Sequence, residues 1–126
     1  LKAVKAAGTT EPAAVMKANS FNKPAPSGVK YVLVTFEATY NGPKDSSSYL
    51  LDLNVKGLDS TNVETKECSD YGAYSFGNND STKEVFQKGT VTVRECFAPA
   101  ADAADSLVVL ASPSFSTSTR SFLAIK

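Results

Sequence analysis

Cys68 and Cys96 are the only cysteines in a chain of 126 residues that contains no histidine. Together these two facts limit the chemistry available. A nucleophilic thiolate needs a base beside it, and histidine is the usual one. A closed zinc site needs four soft or imidazole ligands, and two thiols alone do not supply them. Two readings remain, a disulfide or a pair of inert buried thiols, and the disulfide is the favoured one. It closes a loop of about thirty residues and contributes roughly 3–4 kcal/mol in the chain-entropy description. Such bonds persist in oxidising compartments, so this reading also places the protein outside the cytosol.

The other reactive groups add little. Asp52 and Asp59 lie near each other in sequence, as do Asp102 and Asp105. Carboxylates held about 5–10 Å apart in a cleft can hydrolyse glycosides. Here both pairs fall on strand exteriors and turns, where solvent claims them. Serine is abundant, but no G-x-S-x-G elbow accompanies it. Asn78, Asn79, Asp80 and Glu84 offer oxygens to calcium without the spaced acidic pattern of a calcium loop. A plain polar turn accounts for them. The expectation is no catalytic residue, no metal site and no cofactor.

Three aromatics stand apart. Tyr71, Tyr74 and Phe76 lie in the loop sequence YGAYSFGNND. Exposed loop aromatics supply contact area for a partner. The competing, structural reading folds these rings back to cap one end of the domain.

The elements that must position these residues follow from periodicity. In Val32–Tyr40, Val32, Val34, Phe36, Ala38 and Tyr40 share one side, and Thr35, Glu37 and Thr39 the other. That alternation predicts a half-buried strand. Further strands are expected over Leu1–Ala7, Tyr49–Lys56, Val63–Glu67, Thr90–Phe97, Leu107–Ala111 and Arg120–Ile125, with brief pairing at Val85-Phe86. Glu11–Ala18 reads as a short helix, with Thr10 as N-cap and Pro12 in the first turn. Lys44–Ser48 reads as a polar loop and Gly57–Thr61 as a turn. Ser69–Thr82 reads as a long irregular loop, and Ala100–Asp105 as a small-residue connection. Short strands separated by turn signals predict an all-β fold. The expected form is an immunoglobulin-like antiparallel β-sandwich with one short N-terminal helix, residues 1–126 making a single domain. The absence of tryptophan separates it from the antibody type.

Bulk composition agrees. Hydrophobic residues make up 42% of the chain, an ordinary globular share. Thirteen Lys and Arg balance thirteen Asp and Glu, giving a formal charge of zero. Duplex binders gain affinity by neutralising phosphates, so nucleic acid is not an expected partner. No apolar run approaches the roughly 20 residues that cross a bilayer. The chain starts at Leu1, so a trimmed targeting segment is expected upstream.

Several stretches together resemble one family. NSFNKPAPSGVKYVLV, the following YNGP, FQKGTVTV, CFAPAADAADSLVVL and RSFLAI occur in the order seen in the bacterial DUF4352 family, across Val15–Ile125. The chain departs from that pattern in VRECFAPA. Arg94 and Glu95 stand where small or apolar residues are more usual, and Ala98 replaces a larger one. The departure bears on strand register near Cys96. The resemblance implies an immunoglobulin-like extracellular domain, similar to secreted mycobacterial antigens, behind a signal peptide or lipoprotein anchor. It implies that the family's cysteine pair falls on Cys68 and Cys96, and it brings no catalytic residues. The expected function is a non-enzymatic binding or spacer module at the cell surface or outside the cell. Its partner would be a protein or an envelope component, and any membrane contact would run through an upstream lipid anchor. The alternative is a secreted hydrolase inhibitor that presents loop 69–82 to a protease.

Overall fold

The computed structural model describes residues 2–7, 15, 17, 19–40, 46–48, 53–74, 82–113 and 121–124. Among them nine strands form three antiparallel sheets. The strands are β1 (Lys2–Ala7), β2 (Val32–Thr39), β3 (Ser46–Ser48), β4 (Leu53–Leu58), β5 (Lys66–Glu67), β6 (Glu84–Phe86), β7 (Thr90–Ala98), β8 (Val108–Pro113) and β9 (Ser121–Ala124). Two 3-10 helices, Cys68–Tyr71 and Ala101–Ser106, lie among the described residues as well. The fold is therefore all-β, as expected. Of the helix expected over Glu11–Ala18, only Val15 and Lys17 are described, both with helical backbone.

The four-stranded sheet runs β1-β2-β7-β5, the three-stranded sheet β4-β8-β9, and β3 pairs with β6. The alternation in β2 works as its periodicity requires. Val32, Val34, Phe36, Ala38 and Tyr40 are all buried, while Glu37 is exposed. They join Val85 of β6, Val91, Val93 and Phe97 of β7, and Val109 and Ala111 of β8 in one hydrophobic cluster. The four-stranded and three-stranded sheets thus share a core. Burying each large side chain there contributes about 1.5–3 kcal/mol.

A second cluster lies on the other face of the β2–β7 pair. It holds Val15, Tyr31, Leu33, Cys68, Ala73, Cys96 and Ala98. Leu33 and Cys96 are direct cross-strand partners. The pair is consequently buried on both faces at this end, and polar on one face further along, where Glu37 sits opposite Thr92. Arg94 and Glu95 do not disturb the register. The β2–β7 ladder runs from Val32↔Phe97 to Thr39↔Thr90 without a shift.

Three expectations need correction. Ser46–Ser48, read as loop, pairs with Glu84–Phe86. A run of serines shows no apolar period, and the partner strand's backbone supplies the order. Gly57 is not in a turn; it extends β4 opposite Val109, and the turn follows at Asp59–Asn62. A Cβ on Gly57 would lie 2.8 Å from Phe97 Cδ1, so the strand stays close to that ring because the residue has no side chain. Finally, the expected Val63–Glu67 return strand is split. Glu64 bridges Leu58, while Lys66 and Glu67 pair with Ala98 and Phe97 of β7.

Candidate functional site

Two loops meet over the second cluster, Asn19–Lys23 and the segment that follows the first 3-10 helix. Asn22 holds them together. It is 4% exposed, the one buried polar side chain among the described residues. Its Nδ2 donates to the Val15 carbonyl at 2.9 Å, and its Oδ1 accepts the Tyr74 amide N–H at 3.0 Å. Beside it, the Lys23 N–H donates to the Gly72 carbonyl at 3.1 Å, and the Tyr31 hydroxyl donates to the Lys23 carbonyl at 3.2 Å. A buried amide is costly unless bonded, so a carboxamide bonded at both its nitrogen and its oxygen fixes both loops in one arrangement.

The second loop is held from below as well. Cys68 and Cys96 form a disulfide with Cα atoms 5.4 Å apart, and both residues are buried. It anchors the start of the loop to β7. Asp70 accepts the Glu67 amide N–H at 2.8 Å, capping the 3-10 helix. Gly72 ends it at φ +88°, a left-handed conformation that suits glycine, and a Cβ there would also meet the Lys23 side chain at 2.9 Å. Among the described residues no helix is long and apolar enough to cross a membrane.

On this frame the predicted aromatics part company. Tyr74 is 72% exposed. Tyr71 is half-buried and packs against the second cluster. Phe76, Asn78, Asn79 and Asp80 lie outside the described residues, as does half of the loop expected to act as an inhibitor. The residue missed in the sequence is Phe21, which is 88% exposed. Its N–H donates to Asn19 Oδ1 at 3.0 Å, so its own turn is locked. The available signal was a phenylalanine standing alone in a polar, proline-rich stretch. Phe21 precedes the Asn22 that grips Tyr74, so two exposed rings are carried on clamped, adjoining loops.

Tyr71 also lines a groove of about 300 Å³, whose walls include Val29, Asp59, Lys66, Ala98 and Ala103. Lys66 Nζ stands 5.7 Å from the centre of the Tyr71 ring, a cation–π contact. Asp59 Oδ1 accepts three hydrogen bonds, from the Thr61 hydroxyl at 2.7 Å, the Thr61 N–H at 2.8 Å and the Val63 N–H at 3.0 Å. The Thr61 hydroxyl first, then the two amides, hold its carboxyl below the usual range. Burial, reinforced by Tyr71, raises the Tyr31 phenol above its ordinary value. Asp102 and Asp105 are exposed on the second 3-10 helix, and Asp52 lies outside the described residues.

No family model matches the chain, and no curated protein matches it. Among solved structures it is similar to a conserved hypothetical protein from Bacillus anthracis. The TM-score is 0.53 at 10% sequence identity, over 80% of this chain and 72% of that one. The likeness is one of fold alone.

Proposed function

We propose that this chain is a non-enzymatic domain of a bacterial cell-envelope or secreted protein. It binds a protein or an envelope component through the two loops that carry Phe21 and Tyr74. The observation that carries this reading is the exposure of both rings on loops held by Asn22 and by the Cys68–Cys96 bond. Large aromatics on rigid loops lose little freedom when a partner covers them, which is how they come to dominate interfaces.

Two further observations support the wider frame. A disulfide fits a non-cytoplasmic location. A core shared by a four-stranded and a three-stranded antiparallel sheet supports an immunoglobulin-like sandwich of the DUF4352 kind. Attachment to the membrane, in this reading, belongs to a lipid anchor upstream of Leu1.

The test is retention of envelope components by the immobilised protein. Wild type and a Phe21→Ser/Tyr74→Ser double variant are exposed to detergent-solubilised Gram-positive envelope. The reading expects a component held by wild type and lost by the double variant, with thermal stability unchanged. Equal retention by both, or none by wild type, overturns it.

A further inference from the structure

The groove beside the aromatic loops has a chemistry of its own. Lys66 and Asp59 both line it, yet they are not paired with each other. Nearby, Lys56 pairs with Glu64 at 2.8 Å. Lys66 is exposed and its ammonium stands over the Tyr71 ring, with no salt-bridge partner among the described residues. Among the described residues, the three hydrogen bonds to the Asp59 side chain all fall on Oδ1 and none on Oδ2. The same groove is also lined by small apolar groups, among them Val29, Ala98 and Ala103.

We infer that this groove binds the carboxylate end of a short peptide whose last residues have small side chains. The terminal carboxylate takes the Lys66 ammonium, a charge-assisted contact stronger than a neutral hydrogen bond. A peptide N–H donates to Asp59 Oδ2. The small side chains occupy the apolar stretch, where Tyr71 forms one wall. A volume of about 300 Å³ accommodates two residues of alanine size. Separate placement of one cation and one anion selects a ligand with an anionic end and a donor set back from it.

The groove and the Phe21–Tyr74 pair are separate surfaces, and this inference goes beyond the function proposed above. The probe is N-acetyl-alanyl-alanine, with its C-terminal amide as control, titrated into isotope-labelled protein and followed by amide chemical shifts. The free acid is expected to shift Lys66, Tyr71, Ala98 and Ala103, and the amide to leave them in place. Lys66→Met should weaken binding by about tenfold or more, while Lys66→Arg retains it. Ala103→Leu, which fills the groove, should abolish it. Absence of shifts at millimolar acid, or equal shifts with acid and amide, overturns the inference. If envelope retention still depends on Phe21 and Tyr74 in that case, the groove fails alone and the loop reading stands.

Discussion

The side-chain oxygen of Asn22 accepts the backbone N–H of Tyr74 at 3.0 Å, joining residues 52 apart in the sequence. The same carboxamide reaches the Val15 carbonyl with its nitrogen. One buried side chain therefore ties three segments that no sheet connects. The exposed rings at Phe21 and Tyr74 inherit their positions from it.

Removing that side chain tests the clamp. Asn22→Ala leaves the Tyr74 amide and the Val15 carbonyl without their partner beside a buried cluster. The expected loss is about 2–3 kcal/mol, from two hydrogen bonds and the cost of unsatisfied groups. Urea unfolding with an unchanged slope measures it. A loss below about 0.5 kcal/mol would mean the loops are held elsewhere.

The contact between Gly57 and Phe97 makes a second prediction. A Cβ on Gly57 meets Phe97 Cδ1 and Thr65 Oγ1, each at 2.8 Å. Thr65 can rotate away, but Phe97 is 1% exposed and has no free space to enter. Gly57→Ala should cost about 1–3 kcal/mol through overpacking. Phe97→Leu in the same chain should cost less than the sum of the two single changes, a coupling that a double-mutant cycle reads directly.

The pH dependence follows from two groups. Asp59 has a lowered folded-state pKa. Its contribution to stability is present above the unfolded value of about 4 and is lost as pH falls through the folded value. Wild type should therefore lose more stability on acidification than Asp59→Asn. Tyr31 has a raised folded-state pKa. Its contribution is complete below the unfolded value of about 10 and is lost as pH rises through the folded one. Tyr31→Phe should flatten the alkaline limb. Thermal unfolding across both limbs checks each sign.

The disulfide should also be a stability element. Replacing both cysteines by alanine in one chain removes a closure of 28 residues. The expected loss is about 3–4 kcal/mol. Because Cys68 begins the 3-10 helix, the loop carrying Tyr74 should loosen first, and amide exchange at Ala73 and Tyr74 should accelerate more than at Val34.

What could be read in advance was whatever repeats locally. β2 was legible because its four alternating apolar positions, and Tyr40 just beyond them, all face one core. The cysteine pair was legible because no histidine offers either thiol another role. β3 was not legible, since Ser46–Ser48 carries no period and takes its order from Glu84–Phe86. Nor was the site. Phe21 and Asn22 read as ordinary residues of a proline-rich loop, and their partner Tyr74 is distant in sequence. Tyr71 and Tyr74 look alike in the sequence, yet the short 3-10 helix and Gly72 turn one inward and leave the other in solvent. Contacts made only by folding back leave no pattern in the chain.

The central claim is that Cys68 and Cys96 are bonded in a protein that works outside the cytosol. Thiols in cells producing the full-length protein should be alkylated before lysis, and the cysteine peptides then weighed without reduction. The account predicts a linked pair of peptides bearing no alkyl group, recovered from the envelope or medium. Cys68 and Cys96 peptides that are separate and alkylated, in protein from the cytosolic fraction, would contradict it.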